Sequence, residues 1–193
     1  MATSLMIVGV GGQGSLLASK LLGNILTAEG YDVKVSEVHG MSQRGGSVVT
    51  YVKYDKEKVY SPIVTEGEAD YIISFEKLEA ARYASFLKKD GKIIVNNQEI
   101  DPMPVIIGSA KYPNDILTEL ESKNIFIDEI DALSLAEEAG SSKAVNIVLM
   151  GRLAKYLGIR MGKNEPVGLD VILKICRELD CGIEDVVSIL PKP

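Results

Sequence analysis

The chain has 193 residues, 46% of them apolar and 25% charged, with a net charge of −6 and a sequence pI of about 5.0. That length supports one domain over residues 1–193 with a sizeable core. The acidic balance argues against nucleic acid as the main partner, because phosphate binding needs a basic face, while leaving room for a small basic pocket that holds one phosphorylated ligand. No apolar run approaches the ~20 residues that cross a bilayer. Met1-Ala2-Thr3-Ser4 lacks the charged start of a secretory signal. The expectation is a cytoplasmic protein with no membrane partner.

Leu5 to Val10 is a continuous apolar run ending at glycines, the pattern of a buried strand. From Ser15 to Ala28, Leu17, Leu21, Ile25 and Ala28 recur at helical spacing, and Gly30 is the stop. Val33 to Val38 is a second strand, and the β–α–β order predicts a parallel sheet. Ser47 to Tyr54 is β-branched and aromatic, a third strand. Tyr71 to Phe75 is a fourth, followed by a helix from Glu76 to about Leu87. Lys92 to Val95 and Val105 to Gly108 read as short strands. Asn114 to Lys123 reads as a helix behind Pro113, Ile125 to Ile130 as a strand and Ala132 to Ala139 as a short helix. Lys143 to Leu157 is strongly apolar and helical, interrupted by Asn146, and Gly168 to Leu179 is amphipathic. The fold class is α/β: an open, mostly parallel, Rossmann-like sheet flanked by helices, with a helical carboxyl end.

Two glycine-bearing segments follow β-like runs. In Gly9-Val10-Gly11-Gly12-Gln13-Gly14, the residues Gly9, Gly11 and Gly14 have the spacing of the dinucleotide fingerprint. Glycines let the backbone approach a phosphate, and the following helix offers free N–H groups. Gly12 adds a further small residue and Gln13 a polar side chain. A tight strand–helix turn without a ligand would use the same residues. Glu37, near the end of the second strand, stands where an acid would hold a ribose.

The second segment is Glu37-Val38-His39-Gly40-Met41-Ser42-Gln43-Arg44-Gly45-Gly46-Ser47-Val48. Loops of this length that avoid apolar residues usually serve a ligand or a partner. His39 is the sole histidine, suited to hydrogen bonding and proton transfer. It lacks the companion ligands that a metal needs. Arg44 suits bidentate binding of a carboxylate or phosphate, or else a surface ion pair with Glu37. Gly45 and Gly46 can turn backbone N–H groups toward the same anion, and Ser42 and Gln43 supply further donors. If the sheet is parallel, both loops leave the carboxyl ends of neighbouring strands and line one crevice. Glu76 and Glu79 read as dipole partners of the helix they begin.

Cys176 and Cys181 are the only cysteines. An iron–sulfur cluster normally takes four thiolates; the pair reads as reduced core thiols, with a disulfide as the alternative. Asp90-Gly91 with Asn96-Asn97 lacks both the first glycine and the spacing of a thiamine diphosphate motif.

The two segments together resemble the gamma-type subunits of the 2-oxoacid:ferredoxin oxidoreductase family, nearest the small beta subunit of its indolepyruvate branch. Further similarity lies in Glu66-Gly67-Glu68-Ala69-Asp70, Ser74-Phe75-Glu76, Glu79-Ala80-Ala81-Arg82-Tyr83 and Ala144-Val145-Asn146-Ile147-Val148. It runs from about Leu5 to about Gly158. The resemblance implies a subunit, inactive alone, of a complex that oxidises an aryl 2-oxoacid with coenzyme A and ferredoxin. Thiamine diphosphate, Mg²⁺ and [4Fe–4S] clusters would then sit on a larger alpha subunit, with no cofactor bound by this chain alone. Gly9 to Gly14 and Glu37 to Gly46 would shape access for coenzyme A and substrate. A small NAD(P)-binding oxidoreductase and a nucleotide-sensing module are the alternatives that the glycine loop and Glu37 leave open.

Overall fold

A computed structural model describes residues 2–39 and 46–158. Its contacts group the chain into two compact units, Met1–Ile130 and Asp131–Pro193. The first unit runs β1 (Thr3–Val10), α1 (Ser15–Ala28), β2 (Asp32–His39), β3 (Ser47–Asp55), β4 (Ala69–Ser74), α2 (Lys77–Arg82), a 3-10 turn (Ala84–Phe86), β5 (Leu87–Asn96), α3 (Met103–Ile106), α4 (Ile116–Ser122) and β6 (Phe126–Ile130). In the second, α5 (Ala132–Glu138) and a 3-10 turn (Ser142–Ala144) precede α6 (Val145–Leu157). The helix expected at Gly168 to Leu179 and both cysteines lie outside the described residues.

The sheet order is β2-β3-β1-β4-β5-β6. β1, β4, β5 and β6 pair in parallel. β3 runs antiparallel to both β1 and β2. The sheet is therefore mixed, with β3 alone reversed. The α/β class stands, but β1 and β2 are not neighbours, because β3 lies between them. The physical cause is the short connection between His39 and Ser47. A parallel neighbour needs a crossover of roughly a dozen residues or more, whereas an antiparallel return needs only a turn.

β1 explains its own sequence. Leu5, Met6, Ile7 and Val8 are fully buried, because helices cover both faces of a strand in this position. Met6 and Val8 join Val49, Ile72, Ala80, Ile93 and Val95 in one cluster. Burying each such side chain stabilises the fold by roughly 1.5–3 kcal/mol.

Several boundaries move. The buried face of α1 is Ser15, Ala18, Ser19, Leu22 and Leu26, not the stripe of Leu17, Leu21 and Ile25, which is half-buried. Small residues at 18 and 19 let the helix approach the strands closely. Its end is as expected: Gly30 takes φ 79°, and Tyr31 N donates to Leu26 O at 3.0 Å. The helix beginning near Glu76 stops at Arg82, and the chain is already in β5 at Leu87. Val105 to Gly108 is no strand. Pro102 caps the one-turn helix α3, and its carbonyl accepts from Val105 N at 2.8 Å and Ile106 N at 3.1 Å. Pro104 has no N–H for a ladder, so helical closure wins over β-branched propensity. α6 buries a single stripe of Asn146, Leu149, Met150, Leu153 and Ala154.

β5 begins earlier than its apolar run, through an irregularity in its pairing with β4 between Ala69 and Tyr71. Asp90 takes φ 65° there. A Cβ on Gly91 would lie 2.9 Å from Lys88 O and 3.0 Å from Ala69 O. Both are backbone atoms, so neither can move aside cheaply. Gly91→Ala should cost about 1–3 kcal/mol, read as a lower urea midpoint with an unchanged slope.

Candidate functional site

The candidate residues gather where β1, β4 and β5 end and β3 begins. The glycine loop leaves β1 as a tight turn, with Gln13 N donating to Val10 O at 3.2 Å. Gly12 has φ 100° and Gly14 φ 82°, a region that side-chain-bearing residues avoid. Gly14 caps α1, and its carbonyl accepts from Leu17 N and Ala18 N at 3.0 and 3.1 Å. Gly11 N donates to Gly46 O at 2.9 Å, and Val10 pairs with Ser47. The glycine loop thus touches the last residue before β3, and the two segments share one end of the sheet.

Gln13 has an assignment that the sequence did not reveal. Its Oε1 accepts from Val10 N at 2.7 Å. Its Nε2 donates to Phe75 O at 3.1 Å and to Gln98 Oε1 at 3.2 Å. The amide therefore links the ends of β1 and β4 with the segment after β5. Buried Asn96 supports it, donating to Phe75 O at 3.3 Å and Gln98 Oε1 at 3.4 Å. A Cβ on Gly9 would stand 2.9 Å from Gln13 Oε1 and 3.1 Å from Phe75 Cβ. The glycine at this fingerprint position makes room for the chain's own glutamine and phenylalanine.

Glu37 pairs with Thr50 in β3, and β3 separates β2 from β1. With strands ~4.8 Å apart, Glu37 lies roughly 10 Å across the sheet from the glycine loop's own strand. A ribose-binding acid would instead stand on the neighbouring strand. That placement corrects the expectation drawn from a parallel β1–β2 pair. His39 closes β2 opposite Val48. Ser42, Gln43, Arg44 and Gly45 lie outside the described residues.

A third group was visible in the sequence only as a helix-start acid within a segment of resemblance. Glu79, 4% exposed, lies in the first turn of α2. Its carboxylate accepts from Ser47 Oγ at 2.5 Å and from Arg82 Nε at 3.0 Å. Ser47 Oγ is also 3.0 Å from Tyr83 Oη. The start of β3, directly after the histidine–arginine segment, is thereby tied to α2.

Glu76 is 1% exposed and caps α2 by accepting from Glu79 N at 2.8 Å. Its other oxygen accepts from Ile100 N at 3.3 Å and from Tyr112 Oη. The carboxylate does serve the helix end, as expected, but it also anchors the excursion between β5 and α4. Tyr112 carried no periodic signal. Its phenol is held above the ordinary value of 10.0, first by burial and then by Glu76. Lys77 pairs with Glu99 at 3.1 Å and Glu129 at 3.4 Å, on one wall of a cleft of about 500 Å³ that Asn114 and Asp115 also line.

Among the described residues, no group of three or more His, Cys, Asp or Glu side chains is arranged to hold a metal ion. Two cysteines in the whole chain do not make the four-thiolate set of a cluster. No helix among the described residues is long and apolar enough to cross a membrane.

Residues 4–172 match the pyruvate ferredoxin/flavodoxin oxidoreductase family. The chain is 44% identical over 169 residues to the indolepyruvate oxidoreductase subunit IorB of Thermococcus kodakarensis, covering 84% of this chain and 81% of that one. The pyruvate oxidoreductase subunit PORC of Thermotoga maritima has the same fold, with a TM-score of 0.62 at 17% identity, over 96% of this chain and 89% of that one. A 2-oxoglutarate:ferredoxin oxidoreductase from Magnetococcus marinus, solved with 2-oxoglutarate, coenzyme A and succinyl-CoA bound, gives a TM-score of 0.56 at 15% identity. That match covers 97% of this chain and 32% of the other.

Gln13→Ala should destabilise the isolated chain by about 1–3 kcal/mol, because it strands the Val10 N–H in a partly buried turn. Urea unfolding measures this, and an unmoved midpoint would return Gln13 to a ligand role. Tyr112 sets a pH dependence. A phenol whose folded pKa exceeds its unfolded value stabilises the fold fully below about pH 10. That contribution is lost as pH rises from there through the folded value. Wild type should therefore lose stability above about pH 10 more steeply than Tyr112→Phe, in denaturation series taken across pH 8–11.

Proposed function

This chain belongs to the pyruvate ferredoxin/flavodoxin oxidoreductase family, and on that premise we propose that it is the small, gamma-type subunit of a complex that oxidises aryl 2-oxoacids. The complex would take an indolepyruvate-like acid, coenzyme A and oxidised ferredoxin to an aryl-acetyl-CoA, carbon dioxide and reduced ferredoxin. The observation that carries the reading is similarity along most of both chains to a subunit named for indolepyruvate. The chain would act as one gamma-type domain over residues 1–193 in the cytoplasm, inactive alone.

Thiamine diphosphate, Mg²⁺ and the [4Fe–4S] clusters belong, on this reading, to a larger alpha subunit. This chain's two cysteines do not suit a cluster. The chain's own contribution is the surface at the end of the sheet. His39 and Arg44 are supporting residues for the substrate anions, with Ser42, Gln43, Gly45 and Gly46 as further donors. Gly9, Gly11, Gly12 and Gly14 shape the neighbouring turn, with Gln13 as its internal brace.

Two observations weigh against the NAD(P) alternative. The Gln13 amide already uses Oε1 and Nε2 within the chain, and Glu37 is a strand too far away. Titrating NAD(H), NADP(H) and coenzyme A against the isolated chain tests that choice. Tight dinucleotide binding would favour the alternative.

Co-purification from the native host should yield a larger partner carrying thiamine diphosphate and iron. Oxidation of 2-oxoacids should appear only when both chains are present, fastest with aryl substrates. Preference for pyruvate or 2-oxoglutarate would overturn the substrate assignment. In that complex Arg44→Ala should weaken binding of one anionic substrate by roughly tenfold to a hundredfold, the equivalent of about 1.5–3 kcal/mol. Arg44→Lys should rescue it only partly, since charge returns without the guanidinium fork. Steady-state assays varying coenzyme A, 2-oxoacid and ferredoxin separately read the effect.

A further inference from the structure

We infer that Arg82 is a second anion-binding residue of this site, taking an oxyanion group of a substrate of the complex, and that buried Glu79 is the positioning residue that aims it. The inference rests on the functional reading above for the identity of the ligand.

The arrangement differs from an ordinary surface ion pair. Such pairs leave both partners in water and contribute little. Here the carboxylate side chain is 5% exposed while the guanidinium is 49% exposed. Burying a carboxylate is costly unless it is paired and hydrogen-bonded. Glu79 meets that condition with one bond from Arg82 and one from Ser47, which belongs to a different element. The geometry fixes one edge of the guanidinium through Nε and leaves the Nη donors without a partner among the described residues. A guanidinium so held is ready for bidentate contact with a carboxylate or phosphate, at less entropic cost than a free arginine.

Location supplies the second argument. Glu79 bonds Ser47, and Ser47 directly follows Gly46, whose carbonyl accepts from Gly11 N. The half-exposed cation therefore stands beside the place where the glycine loop and the start of β3 meet. Tyr83 Oη, 3.0 Å from Ser47 Oγ, fixes the same hydroxyl from α2's end. In a chain of net charge −6, an exposed cation braced by a buried acid is a feature that calls for an anion. A cation near the end of α2 also favours the helix dipole, but that interaction requires neither the burial of Glu79 nor its bond to another strand.

The ligand chemistry is a carboxylate or phosphate oxyanion, available from two sources: the carboxylate of the 2-oxoacid or the phosphates of coenzyme A. The test uses the assembled complex with Arg82→Ala, Arg82→Lys and Glu79→Gln. Arg82→Lys keeps a cation beside Glu79 and so guards against simple unfolding of the alanine variant. Calorimetry with coenzyme A, dephospho-coenzyme A and the aryl 2-oxoacid reads binding without turnover, and steady-state assays then separate KM from kcat. Arg82→Ala should weaken one probe by roughly tenfold or more, with the loss falling on KM more than on kcat. Arg82→Lys should recover part of it, and Glu79→Gln should weaken the same probe to a lesser degree.

A loss confined to the 2-oxoacid assigns the carboxylate. Loss of both coenzyme A forms assigns the diphosphate, and loss of the preference between them assigns the 3′-phosphate. Folded variants that bind every probe within twofold of wild type overturn the inference, as does a wild type that binds none. A wild-type complex that oxidises no 2-oxoacid sinks the functional reading instead, while the binding experiment still decides Arg82.

Discussion

One side-chain amide holds the working end of this sheet together. Gln13 bonds Val10 N, Phe75 O and Gln98 Oε1, which belong to three separate stretches of chain. In open α/β sheets that crevice, where the order of connection reverses, is the usual place for a nucleotide. Here a glutamine from the loop itself makes hydrogen bonds to both neighbouring strand ends. Gly9 leaves room for that glutamine and for Phe75. The same end of the sheet carries the Gly11–Gly46 contact, the start of β3, and through Ser47 the buried Glu79 of α2.

The buried acids form the other half of this frame. Glu76 and Glu79 are adjacent in one helical turn, yet they serve different ends. Glu76 faces the excursion after β5 through Ile100 and Tyr112, while Glu79 faces β3 and Arg82. Each carboxylate satisfies its lone pairs with one local donor and at least one from distant sequence, as a charged group out of water requires. The consequence is specificity of arrangement: α2 has one seating in which both acids are bonded.

Much of the fold was legible because the hydrophobic pattern is clean. The run Leu5 to Val10, the strand at Tyr71 to Phe75 and the helix ending at Gly30 were readable from periodicity and glycine chemistry alone. What failed was adjacency. Nothing in the letters of β3 states its direction, since β-branched propensity is the same either way. Only the short link from His39 to Ser47 hinted at an antiparallel return. Val105 to Gly108 misled because β-branched residues outvoted Pro102 and Pro104, whose backbone effects are local and decisive. At the site, Gln13 was noticed as polar, but its partners at 75 and 98 are far away in sequence. Arg82 and Glu79 were visible as a motif of resemblance, while their tie to Ser47 exists only in three dimensions. Tyr112 had no local pattern at all.

The insertion of β3 between β1 and β2 gives the molecule a division of labour. β3 is laddered on both sides along its length, Ser47 to Tyr54 against β1 and Val48 to Asp55 against β2. The endpoints of the histidine–arginine segment are therefore set by strand register, independently of what lies between them. A slip of one residue would turn every side chain of β3 to the opposite face, so those endpoints are hard to shift. Such a hairpin is a socket with fixed terminals.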